Sequence, residues 1–310
     1  MVDLLNIIET PHYYNRINNI EIHSYNPYVN SSLNHNDEIR IPTQQQDLVV
    51  LPSESFLFIE GDVSAIATNN ATIDENKLFL DSNGAAFWFN EIRYELNGFE
   101  VDRCKNLLHT VEQTMGFFDD YKRVIVNARR ELILIRSHND SNAVYCTMDN
   151  INVKVDLVLS KIQWKIPHIT LEEYTKLQFL NIIEKDHPIT MTYRSWGLYE
   201  YPMLLKTQNH SWSVKVSTKL EKPRFIVFAF QTNRKDNVKK SMAKFDHYYG
   251  AFVAIDCSHQ NESIKSGTVD IKIEFECDSN IPENTSAYCL IIHDQIIEYK
   301  PLSGIVRKLI

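Results

Sequence analysis

The chain has 310 residues and a net charge of −8, with a mass of 36.2 kDa and a pI near 5.8, enough for two ordinary domains or one large one. Hydrophobic residues make up 44%, which supports a packed core, while the acidic balance lacks the field that draws proteins to phosphate backbones, so no direct nucleic-acid binding is expected. Eight glycines against fifteen Tyr and fifteen Phe favour strands over glycine-rich cofactor loops.

The first 37 residues are polar, with Tyr, Asn and Ser clusters and no clean period, and read as an N-terminal arm (1–37) that orders against a neighbour. The N-terminus carries no basic n-region and no long apolar stretch, so a secreted protein is not expected. No run approaches the ~20 apolar residues of a membrane helix, so neither is membrane insertion.

Strand signals begin at Glu38, with EIRIP, DLVVLP, Ser55–Ala67 and KLFL. The least ambiguous stretch is Phe87–Asp102. Ile92, Tyr94 and Leu96 alternate with Arg93 and Glu95, Asn97-Gly98 interrupts, and Phe99 and Val101 resume. Asn-Gly suits a two-residue type I′ turn, whose two central residues both need positive φ. That turn pairs Leu96 with Phe99, Tyr94 with Val101 and Arg93 with Asp102, giving one apolar face and one face with a cross-strand ion pair. Glu95 opposite Glu100 is a like-charge contact that must face water. Val124–Val126 and Leu132–Ile135 read as two further strands, and Ile151–Leu159 as a long half-buried one. Eight to ten strands before residue 167 suit a closed sandwich.

The pattern then changes once. Thr170-Leu-Glu-Glu173 reads as a capping box with Ile169 and Tyr174 as its staple. Leu171, Tyr174, Leu177, Phe179, Ile182 and Ile183 form a helical stripe ending near Lys185, with Pro188 beyond. Strands resume in ITMTYRSW, around Trp212, Val214 and Val216, in RFIVFAFQT, in Val269–Cys277, in AYCLIIHD and in QIIEYKP, about seven in all. The fold class is therefore all-β: two tandem antiparallel jelly-roll β-sandwiches joined by a connector helix around residues 170–184. The boundaries are 38–167 for the first sandwich, 168–188 for the connector and 189–310 for the second.

No motif for chemistry stands out. Phosphate loops, H-E-x-x-H, G-x-S-x-G and zinc-spaced Cys/His sets are all lacking from the sequence. Asp246-His247 and His293-Asp294 are adjacent acid–histidine pairs, but neighbours on a strand point to opposite faces. Cys104, Cys146, Cys257, Cys277 and Cys289 are widely spaced, odd in number and without a C-x-x-C pair, so reduced structural thiols are expected. Arg129-Arg130 and Asn233–Lys240 are basic clusters, the latter a solvated loop. Trp88, Trp164, Trp196 and Trp212 read as core or interface residues. The expectation is no catalytic residue, no cofactor site and no metal site. Cupin-type metal chemistry is the weakest alternative, since no close His pair supports it.

Several segments, in order, carry a family resemblance: His35–Pro42, Phe89–Asn106, Gly116–Ser137, Ser195–Pro202, Glu221–Asn237, Phe245–His247 and Asn284–Leu309. Through them the chain resembles the double jelly-roll-like proteins of insect and other invertebrate genomes. That family is similar to the major capsid proteins of double-stranded DNA viruses and capsid-encoding transposons. Two stretches, Lys105–Phe117 and Tyr248–Ser266, are shorter than the family pattern, and the second of them implies a shortened second jelly roll.

The resemblance implies a structural protein without catalysis that self-associates in a virion or capsid-like assembly, with other capsid components as further partners. A trimer would present six similar sandwiches and could tile a hexagonal lattice as a pseudo-hexameric capsomer. The rival reading is a domesticated, non-assembling binding module of the host, located in the cytoplasm or nucleus.

Overall fold

The computed structural model describes residues 16–28, 33–43, 49–67, 78–80, 84–105, 115–140, 143–146, 153–215, 223–232, 239–240, 252–257 and 271–309. The alternating runs become strands in chain order. These are β1 (Ile17–Tyr25), β2 (Glu38–Thr43), β3 (Val49–Val50), β4 (Phe56–Ala67), β5 (Leu78–Leu80), β6 (Phe89–Leu96) and β7 (Phe99–Lys105). A short helix α1 (Gly116–Asp120) precedes β8 (Arg130–Arg136), β9 (Val144–Cys146) and β10 (Val153–Leu171). After helix α2 (Glu173–Glu184) come β11 (Ile189–Tyr201), β12 (Asn209–Lys215), β13 (Pro223–Thr232) and β14 (Lys239–Lys240). The remaining strands are β15 (Phe252–Asp256), β16 (Ile271–Glu276), β17 (Thr285–Tyr299) and β18 (Val306–Lys308).

In the first half, β10 pairs with β1, β3 and β4 to form one sheet, and the other runs β2-β8-β6-β7. They face each other across a core of Ile39, Ile41, Tyr94, Leu96, Leu132, Leu134, Leu159, Ile162 and Trp164. In the second half the sheet β11-β17-β13-β15, with β18 on β17, faces the pair β12-β16. Trp212, Val214, Ile226, Phe228, Ile271, Cys289 and Ile291 pack between them. A small sheet orders β14-β9-β5. Residues on alternating positions thus fill two sandwich interiors, as the period-2 pattern requires.

Four expectations about the elements themselves change. Val124–Val126 is not a strand; Ile125 makes a single antiparallel bridge to Val50. AYCLIIHD and QIIEYKP are one strand, β17, because β11 pairs with it continuously from Ile189↔Tyr299 to Tyr201↔Ala287. The capping box does not form. Thr170 stays in β10 opposite Asn19, and α2 starts after Glu172 with no side-chain cap. Pairing with β1 outcompetes the local motif, and the Glu172 amide donates to the Arg16 carbonyl at 3.1 Å. β1 itself lies inside the segment read as an arm, so Ile17–Tyr25 is sheet in the chain's own fold.

The Asn97-Gly98 turn forms as expected, with φ of 51° and 78°, and Leu96 pairs with Phe99. The register then shifts: Glu95 faces Glu100 but Tyr94 faces Asp102, which leaves Val101 as a bulge. Val101 and Asp102 are consequently both buried, and the expected Arg93–Asp102 pair does not exist. Arg93 instead lies 3.4 Å from Glu95 and 3.9 Å from Glu100, and Arg103 contacts Glu100 at 2.5 Å. These two cations relieve the like-charge contact on the outer face.

The boundary at residues 188 and 189 does not divide the cores. Met191 and Tyr193 of β11 and Ile297 and Tyr299 of β17 belong to the first core, whereas Ala287, Cys289 and Ile291 of β17 belong to the second. The two long strands run through both. Where α1 meets β11, Gly116 lies so close that a Cβ there would sit 1.6 Å from the Arg194 carbonyl oxygen. Gly116→Ala should therefore cost about 3 kcal/mol through forced separation of α1 from β11. Gly98→Ala, with open space around it but positive φ, should cost roughly 1–2 kcal/mol. Urea denaturation of the two variants against the parent checks the order.

Candidate functional site

The acid–histidine pairs do not make a catalytic dyad among the described residues. His293 is buried and Asp294 exposed on opposite faces of β17, and Asp294 meets Arg224 at 3.1 Å. Asp246-His247 lies outside the described residues. Burial pushes the thiols of Cys104 and Cys289 up to about 12 and raises that of Cys257, which keeps them protonated and poor nucleophiles. None of Cys104, Cys257, Cys277 and Cys289 is in a disulfide.

An open depression on β12 and β16, lined by Asn209, His210, Ser211, Glu274, Phe275 and Glu276, holds His210 stacked on Phe275 at 4.9 Å. The ring is also tied to the Thr207 carbonyl at 2.9 Å. One group of metal-capable side chains converges among the described residues, His35, Asp140 and Asp156.

Arg129-Arg130 is not a basic patch. Arg130 is fully buried, its backbone N–H and Nε donating to the Thr43 hydroxyl at 3.2 Å, and Arg129 reaches Glu131 at 3.5 Å. Trp164 and Trp212 are core residues and Trp88 packs against the first core. Of Asn233–Lys240 only the β14 backbone is described.

The polar side chains that the fold does gather lie at the junction between the halves. The β7 bulge takes Val101 out of register, and its carbonyl accepts the Tyr193 hydroxyl at 2.5 Å. Asp102, turned inward, accepts the backbone N–H of Phe117 at 3.0 Å and of Arg103 at 2.9 Å, and the Ser195 hydroxyl at 3.3 Å. Burial pushes its carboxyl up to about 6, against the lowering effect of those donors. On the rim, Asp120 receives the Arg194 backbone N–H and Nε at 2.8 Å and Nη2 at 2.5 Å. The hydrogen bonds from Arg194 hold the Asp120 carboxyl below its usual range.

Three residues with left-handed backbone, Asn97, Asn127 and Asp186, hold the chain after β17. Asn97 accepts the Arg129 amide at 2.8 Å and donates to the Gly304 carbonyl at 2.9 Å. Asn127 donates to the Pro301 carbonyl at 2.5 Å, and its own carbonyl accepts the Tyr299 hydroxyl at 2.7 Å. The Asp186 carboxylate accepts the amides of Leu302 at 2.9 Å and Ser303 at 3.1 Å. Sequence reasoning assigned Asn97 its turn but none of the other latches. Single Asn or Asp residues after a strand or helix were the available signal.

Apolar side chains also face outward. On α2, Tyr174 is 67% exposed, Leu177 60% and Leu180 49%, one face at i, i+3, i+6. On β1, Ile20 and Ile22 are exposed, and on the edge strand β15 so are Val253 and Ile255. No helix among the described residues is long and apolar enough to cross a membrane.

Two sandwiches in tandem, fastened through shared strands, define a double jelly roll with the fold of viral major capsid proteins. The chain belongs to the double jelly roll-like domain family, whose model matches residues 106–249 and 244–297. A chain of the Sputnik virophage structure shares the fold at TM-score 0.65 and 9% identity, over 98% of this chain and 91% of that one. The mavirus major capsid protein does so at TM-score 0.58 and 8% identity, over 97% and 91%. The Faustovirus major capsid protein follows at 0.54 and 8%, over 94% and 92%. No curated protein matches the sequence.

The raised Asp102 pKa fixes a sign. Its neutral form suits the fold, so its contribution to stability is complete below pH 3.8 and is lost as pH rises through about 6. The rise from 3.8 to about 6 corresponds to roughly 3 kcal/mol. Between pH 4 and 6, Asp102→Asn should therefore gain stability relative to the parent by up to that amount, read from urea midpoints at each pH. Parallel curves for the two proteins would remove the assignment.

Proposed function

We propose that the chain is a structural, capsid-type subunit that self-associates as trimers, each presenting six sandwiches as a pseudo-hexameric capsomer within a virion or capsid-like assembly. The observation that carries this reading is the full-length fold match to major capsid proteins, combined with halves locked through β11 and β17. A lattice subunit has to hold the angle between its two sandwiches, and the shared core supplies that rigidity. The exposed faces of α2, β1 and β15 supply apolar surface for contacts between copies. Other capsid components are further partners, and neither catalysis nor direct nucleic-acid binding is part of the proposal. Burial of Arg130 and pairing of Arg129 support the last point.

Light scattering coupled to size-exclusion chromatography on the full-length chain, with negative-stain microscopy of each peak, tests this. The expected species has three times the 36.2 kDa mass or larger lattices. A monomer at every concentration overturns it and favours the binding-module reading. Leu177→Asp with Leu180→Asp should shift the oligomer toward monomer. Because both side chains are exposed, monomer stability should change by no more than about 0.5 kcal/mol.

A further inference from the structure

His35 sits in the turn before β2, Asp140 in the turn after β8, and Asp156 on β10. Antiparallel pairing of β2 with β8, Glu38 opposite Ile135, brings the first two turns together. Each carries the tripeptide His-Asn-Asp, at 35–37 and 138–140. The Arg136 amide donates to the Asp37 carbonyl at 2.9 Å. β10 joins them because the Leu157 amide donates to Asp140 Oδ2 at 3.0 Å, which leaves the next residue back, Asp156, beside the pair.

The imidazole is oriented by its other nitrogen. His35 Nδ1 lies 3.0 Å from the Ser137 carbonyl, which can only accept, so Nδ1 carries the proton. Nε2 then faces Asp156 Oδ1 at 3.3 Å and Asp140 Oδ2 at 3.7 Å. Asp140 Oδ2 already accepts from Arg136 Nη2 at 3.2 Å and from the Leu157 amide, but a bare lone pair facing it and Asp156 Oδ1 is repulsive, and a positive species between the three atoms would relieve that contact. Around a tetrahedral ion with bonds of about 2.0–2.1 Å, ligand atoms lie roughly 3.3 Å apart. Nε2 lies close to that spacing from both carboxylate oxygens, and all three atoms lie within 4.8 Å of one another. A ligating His whose second nitrogen donates to a backbone carbonyl is the usual supporting arrangement in metal sites.

We propose that His35, Asp140 and Asp156 form a binding site for a divalent transition-metal ion of the zinc class, which ties the turns flanking β2 and β8 to β10. One imidazole nitrogen with two carboxylates suits that class better than the all-oxygen preference of Ca²⁺ or Mg²⁺. The Asp140 side chain is fully buried and braced by Arg136 at 3.0 Å. His35 and Asp156 are 39% and 55% exposed, so solvent reaches the fourth position. The site revises the expectation of no metal ligands and is independent of the capsid reading.

Isothermal titration of the full-length chain with ZnCl₂ at pH 7.5 tests it. The expected result is one saturable site per chain. His35→Ala and Asp156→Asn, exposed enough to leave the fold intact by circular dichroism, should each weaken it at least tenfold. Zinc binding unchanged in both variants would place the ion elsewhere among the 11 His and 5 Cys and overturn the site. So would CaCl₂ binding as tightly as zinc. No saturable zinc binding by the full-length chain would end the metal proposal.

Discussion

One residue too many in β7 sets how the halves of this molecule meet. With Val101 unpaired against β6, its carbonyl is available to the Tyr193 hydroxyl, and the next side chain, Asp102, turns from the surface into the junction. A regular ladder would have left Asp102 on the charged outer face beside Arg93. The bulge thus converts a strand of the first sandwich into the socket for β11 of the second, and α1 is seated there by the Phe117 amide and by the close approach at Gly116.

The socket carries a cost that its surroundings offset. Removing a carboxyl from water is unfavourable, and two backbone amides and one hydroxyl compensate in part. The remaining cohesion is distributed over apolar contacts of Met191, Ile297 and Tyr299 and over the three left-handed latches on Pro301–Gly304. Net contributions of about 1 kcal/mol per hydrogen bond make each latch modest alone and the set substantial. The hydroxyl of Tyr299 reaching two carbonyls at 2.7 and 2.8 Å shows the same economy: one side chain serves β17, the core and the loop before β8.

The sequence made the strands, the all-β class and the Asn-Gly turn legible because they rest on local periodicity and on φ preferences. Among the described residues, ten strands before α2 and eight after it agree with the alternation of apolar residues. What it left unread depends on tertiary pairing. Thr170 has every local reason to cap a helix, yet β1 holds it in a strand. His293-Asp294 breaks an apolar run, yet β11 pairs straight across it. The bulge at Val101 has no local signature, so Asp102 passed for a surface acid. His35, Asp140 and Asp156 are separated by about a hundred residues and then sixteen, and only β2–β8 pairing and the Leu157 amide place them side by side.

The uninterrupted pairing of β11 with β17 has a mechanical side. Thirteen rungs from Ile189↔Tyr299 to Tyr201↔Ala287 span about 40 Å at 3.4 Å per residue, and the ladder contains neither a bulge nor a proline. It behaves as a girder laid through two boxes. Torque applied to one sandwich reaches the other as shear shared by all thirteen rungs, so this strand pair offers no hinge between the two cores.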